Sequence, residues 1–258
     1  MPDLLTTLLL ILAAFGAGWI DAVVGGGGLI QLPALMIAFP SAAPAQLLAT
    51  NKLGSICGTS TSSITYARRV RPELRTVAYL AIPAFAGALV GAVIASHIPR
   101  SAFNPVILVV LVAVGAYTLL RPNVGDVTAL RFSGRRHYGT AGLVGFFIGM
   151  YDGALGPGTG SFLVFALVGL LGYRFLDASA KAKIANFATN LAALVIFVPQ
   201  GVVLWGLGLA MGVANIAGAY LGSRMAVARG SRFIRAVFVV VVGAFIVKIG
   251  ADTLRQLL

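Results

Sequence analysis

Residues 21–28 read Asp-Ala-Val-Val-Gly-Gly-Gly-Gly and stand between two strongly apolar runs. Four residues without a side chain cannot hold a helix firmly, since each gives up more backbone freedom than alanine would. A break inside an apolar run frees backbone N–H groups, which must find partners away from water. N–H groups at the start of the following helix then form an anion site. A carboxylate beside such a break costs ~2.5–3.5 kcal/mol on membrane-insertion scales, so Asp21 calls for a purpose.

The same arrangement recurs 131 residues later, where Asp152 precedes Gly156-Pro-Gly-Thr-Gly160. At that single offset Gly18 meets Gly149, Lys52 meets Lys183, and Gly87, Ala88 and Gly91 meet Gly218, Ala219 and Gly222. Past residue 100 the register slips, and Gly115-Ala116 then matches Gly243-Ala244. The chain reads as two copies of one unit, 1–120 and 139–258, joined by a basic linker, 121–138. Each copy divides into about five apolar segments: 4–20, 29–39, 44–67, 76–96 and 101–120, then 139–152, 159–171, 184–198, 203–222 and 234–252. The second of each set is short for a crossing of ~30 Å, which leaves a full crossing or a re-entrant pair open.

The composition agrees with a lipid solvent. The 258 residues are 59% hydrophobic and 10% charged, with a mean hydropathy of +0.97; a soluble domain carries ~25% charged residues. The runs do not alternate, which argues against a β-barrel. The fold class is therefore an all-α integral membrane protein of two repeats with Gly-rich interrupted or re-entrant helices.

The net charge of +12 comes from basic residues in short loops, where the positive-inside rule puts them, so nucleic acid is not expected as a partner. Loop 68–75 and linker 121–138 are Arg-rich and are expected to be cytoplasmic, with 97–100 outside. In the second copy the pattern flips: Pro199-Gln-Gly201 is uncharged, while 224–235 holds four Arg. The copies are thus expected to lie upside down relative to each other, as in many secondary transporters, with both termini outside. One cysteine, Cys57, excludes an internal disulfide framework. The start, with Asp3 and no basic stretch, is not read as a signal peptide.

Of seven acidic residues only Asp21 and Asp152 lie between apolar runs. Each can cap or bridge the break, or carry a coupled proton or ion. The third segment of each copy adds a polar stripe: Lys52, Ser55 and Thr59, matched by Lys183, Asn186 and Asn190, at spacings of 3 and 4 that share one helix face. Lysine supplies charge, and Asn and Ser donate to an oxyanion. The plainer alternatives are snorkelling for the lysines and back-bonding to the i−4 carbonyl for the hydroxyls. Gly87-Ala-Leu-Val-Gly91 and Gly218-Ala-Tyr-Leu-Gly222 read as close helix packing. The expected binding set is Gly25, Gly26, Gly27, Gly28, Asn51, Lys52, Ser55, Thr59, Gly156, Gly158, Thr159, Gly160, Lys183, Asn186 and Asn190.

No metal or cofactor is called for. No catalytic motif is present either: His97 and His137 read as loop residues, and no HExxH or Gly-x-Ser-x-Gly occurs.

Gly18-Trp-Ile-Asp21-Ala-Val-Val-Gly-Gly-Gly-Gly28, Pro33 and Thr50-Asn51-Lys52, followed by Gly149-Met-Tyr-Asp152 through Gly160 and Ala182-Lys183 through Asn190, resemble the TauE/SafE sulfite-exporter family, also called the 4-toluene sulfonate uptake permeases. The resemblance spans nearly the whole chain in the same order. It implies a multi-pass transporter of the bacterial inner membrane for small sulfur-containing anions such as sulfite, sulfoacetate and other organosulfonates. Partners are then the anion and the bilayer; export of a monoanion could be a uniport, whereas uptake would need a coupling ion, most simply H⁺ through Asp21 and Asp152. An anion channel, or a carrier of another small carboxylate or inorganic anion, is the alternative. The sequence leaves the oligomeric state open.

Overall fold

A computed structural model describes residues 4–95, 125 and 127–257, and it is helical throughout its regular elements. Segment 101–120, loop 97–100 with His97, and Arg121 lie outside the described residues. In chain order the helices are α1 (Leu4–Val24), α2 (Gly28–Ala38), α3 (Pro44–Val70), α4 (Leu74–Ala95), α5 (Gly134–Ala154), α6 (Thr159–Ala166, continued by a π-helical turn Leu167–Leu171), α7 (Phe175–Phe197) and α8 (Trp205–Leu257). α8 is broken at Gly230, whose φ is 72°. Four spans among the described residues are long and apolar enough to cross a membrane: α1, α4, α7 and Trp205–Val241 of α8. The large apolar side chains on their outer faces, Leu8, Leu12, Ile82, Val195 and Val213 among them, are exposed and face where lipid would be.

Two glycine seams hold the bundle. On α5, Gly145, Gly149 and Gly153 meet the backbone at Leu80, Ala84 and Ala88 of α4, so closely that a Cβ on any of them would strike a carbonyl. Gly87 and Gly91 of α4 meet Phe146 and Met150 in return. On α8, Gly218 and Gly222 meet Phe15 and Trp19 of α1, and Gly18 meets Asn215. Lipid offers apolar side chains no incentive to associate, so close backbone approach through small residues is what draws such helices together. The two seams are related by the 131-residue offset, Gly18 with Gly149 and Gly218 with Gly87.

Contact order along each seam gives direction. Positions 80, 84 and 88 of α4 meet 145, 149 and 153 of α5, so these helices run parallel. α1 and α8 run parallel by the same test. α3 is also parallel to α8, since Leu53 meets Gly208, Cys57 meets Gly212 and Gly58 meets Asn215. With α1 and α3 pointing the same way, the short α2 between them must run back. α1 and α2 therefore form a hairpin turned at the Gly break. At 1.5 Å per residue α2 is about 16 Å long, half a crossing.

The ends of the bundle differ in charge. Tyr138 donates to Glu73, Arg75 lies over the Tyr138 ring, and Leu176 N–H donates to Ser231, so 71–75, 138, 174–177 and 231 share one end. That end holds the basic stretches. At the other, Leu204 N–H donates to Thr50, joining the start of α3 to loop 198–204, which carries no charge.

Three expectations are corrected. α7 begins at Phe175 rather than near 184, because Lys181 and Lys183 are buried inside the helix instead of ending it. α5 begins at Gly134, inside the expected linker. His137 is accordingly no loop residue but a buried one in the first turns of α5.

Candidate functional site

The two breaks meet. Gly25 and Gly156, equivalent under the offset, both adopt φ of +89°, a conformation glycine reaches without strain. Gly25 lies on Gly160 so closely that a Cβ there would overlap the Gly160 backbone. Ser161 N–H donates to Gly25 O at 3.0 Å, and the Ser161 hydroxyl to Val24 O at 2.9 Å. Tyr151 donates to Pro157 O at 2.7 Å and fixes the second break from its own helix. The end of α1 is thus welded to the start of α6, and some donors the sequence suggested for an anion serve that weld.

Four charged side chains converge on this point. Lys52 Nζ of α3 stands 2.7 Å from Asp152 Oδ2 of α5, with both side chains only 2% exposed. Lys183 Nζ of α7 donates to Asp21 Oδ2 of α1 at 3.0 Å, the lysine fully buried and the aspartate 13% exposed. Each lysine pairs with the carboxylate of the other half of the chain. The Lys52–Asp152 contact is close but off the hydrogen-bonding direction, so Asp152 Oδ2 accepts no aligned bond. Charge, not a directed bond, holds that pair. The snorkelling alternative is overturned, since neither lysine reaches an interface. Capping is replaced by bridging: neither α2 nor α6 has a side-chain cap.

Between the pairs lies a cavity of about 20 Å³, room for roughly one water. Asp21, Gly25, Gly28, Asn51, Lys52, Ser55, Asp152, Gly156, Gly158, Thr159, Gly160, Asn186 and Asn190 line it. Four expected residues do not. Gly26 faces Ile20 and Val241, and Gly27 packs beneath Asp21 and Ala17. Lys183 sits behind Asp21. Thr59 accepts from Asn190 Nδ2 at 3.4 Å beyond the wall. Asn51 Oδ1 is buried on the cavity wall with no partner. The hydroxyls of Thr59, Ser60, Thr61, Ser62 and Thr65 bond back along α3, as local hydroxyl chemistry favours.

The sequence reading missed a supporting layer. Asn215 Nδ2 donates to Gln31 Oε1 at 2.9 Å and to Ala14 O at 3.1 Å, and Gln31 Nε2 donates to Asn51 O at 3.4 Å. This chain of buried amides joins α8, α1 and α2 to the helix that carries Lys52. A lone amide inside the apolar run 203–222 was the available signal, but its offset counterpart is Ala84, so the repeat did not flag it. Tyr66, whose hydroxyl donates to Ala22 O at 2.9 Å, was missed for the same reason: its counterpart is Phe197.

A second polar cluster lies at the basic end. Tyr173 OH is 2.9 Å and Thr76 Oγ1 3.2 Å from His137 Nε2, and Thr76 donates to Glu73 at 2.7 Å. The Thr76 hydroxyl chiefly, with Tyr138, holds the Glu73 carboxyl below the usual range. This cluster ties α4, α5 and the turn before α7 together, away from the cavity.

Among the described residues no group of His, Cys, Asp and Glu could hold a metal ion. The sequence profile described as "Sulfite exporter TauE/SafE" matches residues 10–249. "Probable membrane transporter protein ORF9" of a Sinorhizobium species is 39% identical over all of this chain and 98% of its own. A "Probable membrane transporter protein" of Haemophilus influenzae is 37% identical over 92% of this chain and 91% of its own. "Probable membrane transporter protein YfcA" of Escherichia coli K12 is 34% identical over 96% and 90%. No solved structure matches the chain.

Proposed function

The chain belongs to the sulfite exporter TauE/SafE family and is a multi-pass membrane transporter, not an enzyme; from that premise we propose that it carries small sulfur-containing oxyanions across the bacterial inner membrane. Sulfite, sulfoacetate and other organosulfonates are the compounds intended. The anion binds between two inverted halves, 1–120 and 139–258, joined by linker 121–138. The basic end of the bundle, including 68–75 and the linker, faces the cytoplasm.

One observation carries the reading: Lys52, Asn51, Ser55, Asn186, Asn190 and the glycine breaks line one small cavity, with Lys183 paired behind Asp21 on its wall. Lysine and amide or hydroxyl donors suit the charge and acceptor oxygens of an oxyanion. The unpartnered Asn51 oxygen marks a polar surface still open to a ligand, and a half-turn of that amide offers its NH₂ instead. Reciprocal pairing, Lys52 to Asp152 and Lys183 to Asp21, supports the two-copy reading, because the offset exchanges one pair with the other. The small size of the cavity favours a carrier over an open pore. At about 20 Å³ it admits no oxyanion without movement of the halves.

Reconstitution into proteoliposomes tests this. Saturable flux of sulfite, sulfoacetate or methanesulfonate is expected, and it should fall at least tenfold in Asn186→Ala and Asn190→Ala while both variants stay folded. Absence of flux for all three anions in folded protein would sink the proposal.

A further inference from the structure

Asp21, Asp152, Lys52 and Lys183 form two ion pairs in which every side chain but Asp21 is at most 2% exposed. Their charges sum to zero. An added monoanion would leave that buried cluster with an uncompensated negative charge, in surroundings that screen charge poorly. There is also no room for it: the cavity between the pairs holds about one water. An anion can enter only where a lysine leaves its carboxylate, and a buried carboxylate without a cation is driven to neutralise.

Resting on the transporter reading above, we infer that the anion and a carboxylate compete for the same lysine, and that the displaced carboxylate takes a proton, so that one proton and one monoanion cross together without net charge. In each exchange the Lys N–H···O contact to aspartate breaks, a Lys N–H···O contact to the anion forms, and the freed carboxylate oxygen binds the proton. Two lysines, one remaining carboxylate and one monoanion again sum to zero. A dianion takes both lysines and two protons.

The pairs are not equal. Lys52–Asp152 is sealed, while Asp21 keeps 13% of its side chain exposed, so the Asp21–Lys183 pair exchanges first. Asp21 faces Lys183 on α7 and lies near Tyr66 on α3, whose hydroxyl is held by Ala22 O. Asp152 faces Lys52 on α3 with Tyr151 beside it, whose hydroxyl is held by Pro157 O. Among the described residues no histidine joins either pair; His137 belongs to the Thr76–Tyr173 cluster. The carboxylates themselves are therefore the proton acceptors.

The test uses proteoliposomes with sulfite and methanesulfonate, the latter a monoanion with no proton to lose near neutrality. At zero membrane potential, a gradient of one pH unit, alkaline inside, is expected to accumulate methanesulfonate about tenfold, with internal acidification at one proton per anion. An imposed potential alone is expected to move nothing. In Asp21→Asn the pH-driven accumulation should vanish and the residual flux should follow the membrane potential instead, a change of driving force that a merely structural role would not produce. Flux that follows voltage and ignores the pH gradient in the wild type would overturn the inference and leave the transporter reading standing. So would accumulation retained in both Asp21→Asn and Asp152→Asn. No flux of either anion would overturn both.

Discussion

Thr59 and Asn190, equivalent positions 131 residues apart, touch each other: Asn190 Nδ2 lies 3.4 Å from Thr59 Oγ1. The first and second halves of the chain meet at this contact. This contact places α3 and α7 against each other just beyond the cavity wall. At 3.4 Å the bond is long and contributes little, within the usual ~0.5–1.5 kcal/mol for a net hydrogen bond. Because Asn190 lines the cavity and Thr59 does not, Thr59→Val is expected to lower flux far less than Asn190→Ala. Flux in the two variants, measured beside the wild type, would check it.

Lys52 and Asp152 are sealed from solvent, so removing one partner leaves a bare buried charge. Lys52→Met and Asp152→Leu are each expected to cost about 3–5 kcal/mol, and the double variant far less than their sum. Reversible unfolding in mixed micelles would give the cycle. The Lys183–Asp21 cycle should give a smaller coupling, because Asp21 is partly exposed.

The glycines of 25–28 are not interchangeable. Gly25→Ala combines φ of +89° with overlap of the Gly160 backbone and is expected to abolish flux and lower stability by several kcal/mol. At Gly26 the nearest atom to a new Cβ is Ile20 Cγ2 at 3.5 Å, an ordinary contact. Gly26→Ala should transport normally. Flux and thermal stability of the two variants form a matched comparison.

Along α1, Gly18 lies on the Asn215 backbone, whereas nothing stands within 4 Å of a Cβ added at Gly16. Gly18→Ala is expected to loosen the α1–α8 seam by about 1–3 kcal/mol, and Gly16→Ala to be neutral or mildly stabilising. Melting temperatures in detergent would separate them.

Glu73 has a depressed carboxyl, with Thr76 the main cause. A depressed carboxylate stabilises the fold fully above its unfolded value, and that contribution is lost as pH falls through the folded one. Thr76→Val should raise the Glu73 carboxyl toward the usual range and flatten the loss of melting temperature between pH 6 and pH 3, an interval of about three units below neutrality around ordinary carboxylate values. Glu73→Gln should remove that component. Because Glu73 is exposed, the effect is expected to be small.

Much of this was legible in the sequence, and the reason is periodicity. The offset that aligns Asp21 with Asp152 and Lys52 with Lys183 also aligned the glycines of both seams, and packing through small residues follows from local spacing. Asn215 and Gln31 were missed because their counterparts, Ala84 and Phe162, are apolar. His137 and the start of α7 were misread because polar residues look like loop when burial is unknown.

The sequence by itself determined an all-helical membrane chain, its paired breaks, its polar stripes and the flip of its basic loops, since composition and spacing carry that information locally. Only the tertiary structure decided which lysine meets which carboxylate. That choice joins Lys52 of the first half to Asp152 of the second and Lys183 to Asp21, at separations of 100 and 162 residues. No local pattern encodes such a pairing. It follows from the crossing of α3 and α7 and from the seams that hold α1 and α5 against the other half, because a buried charge takes the nearest opposite charge the fold brings to it.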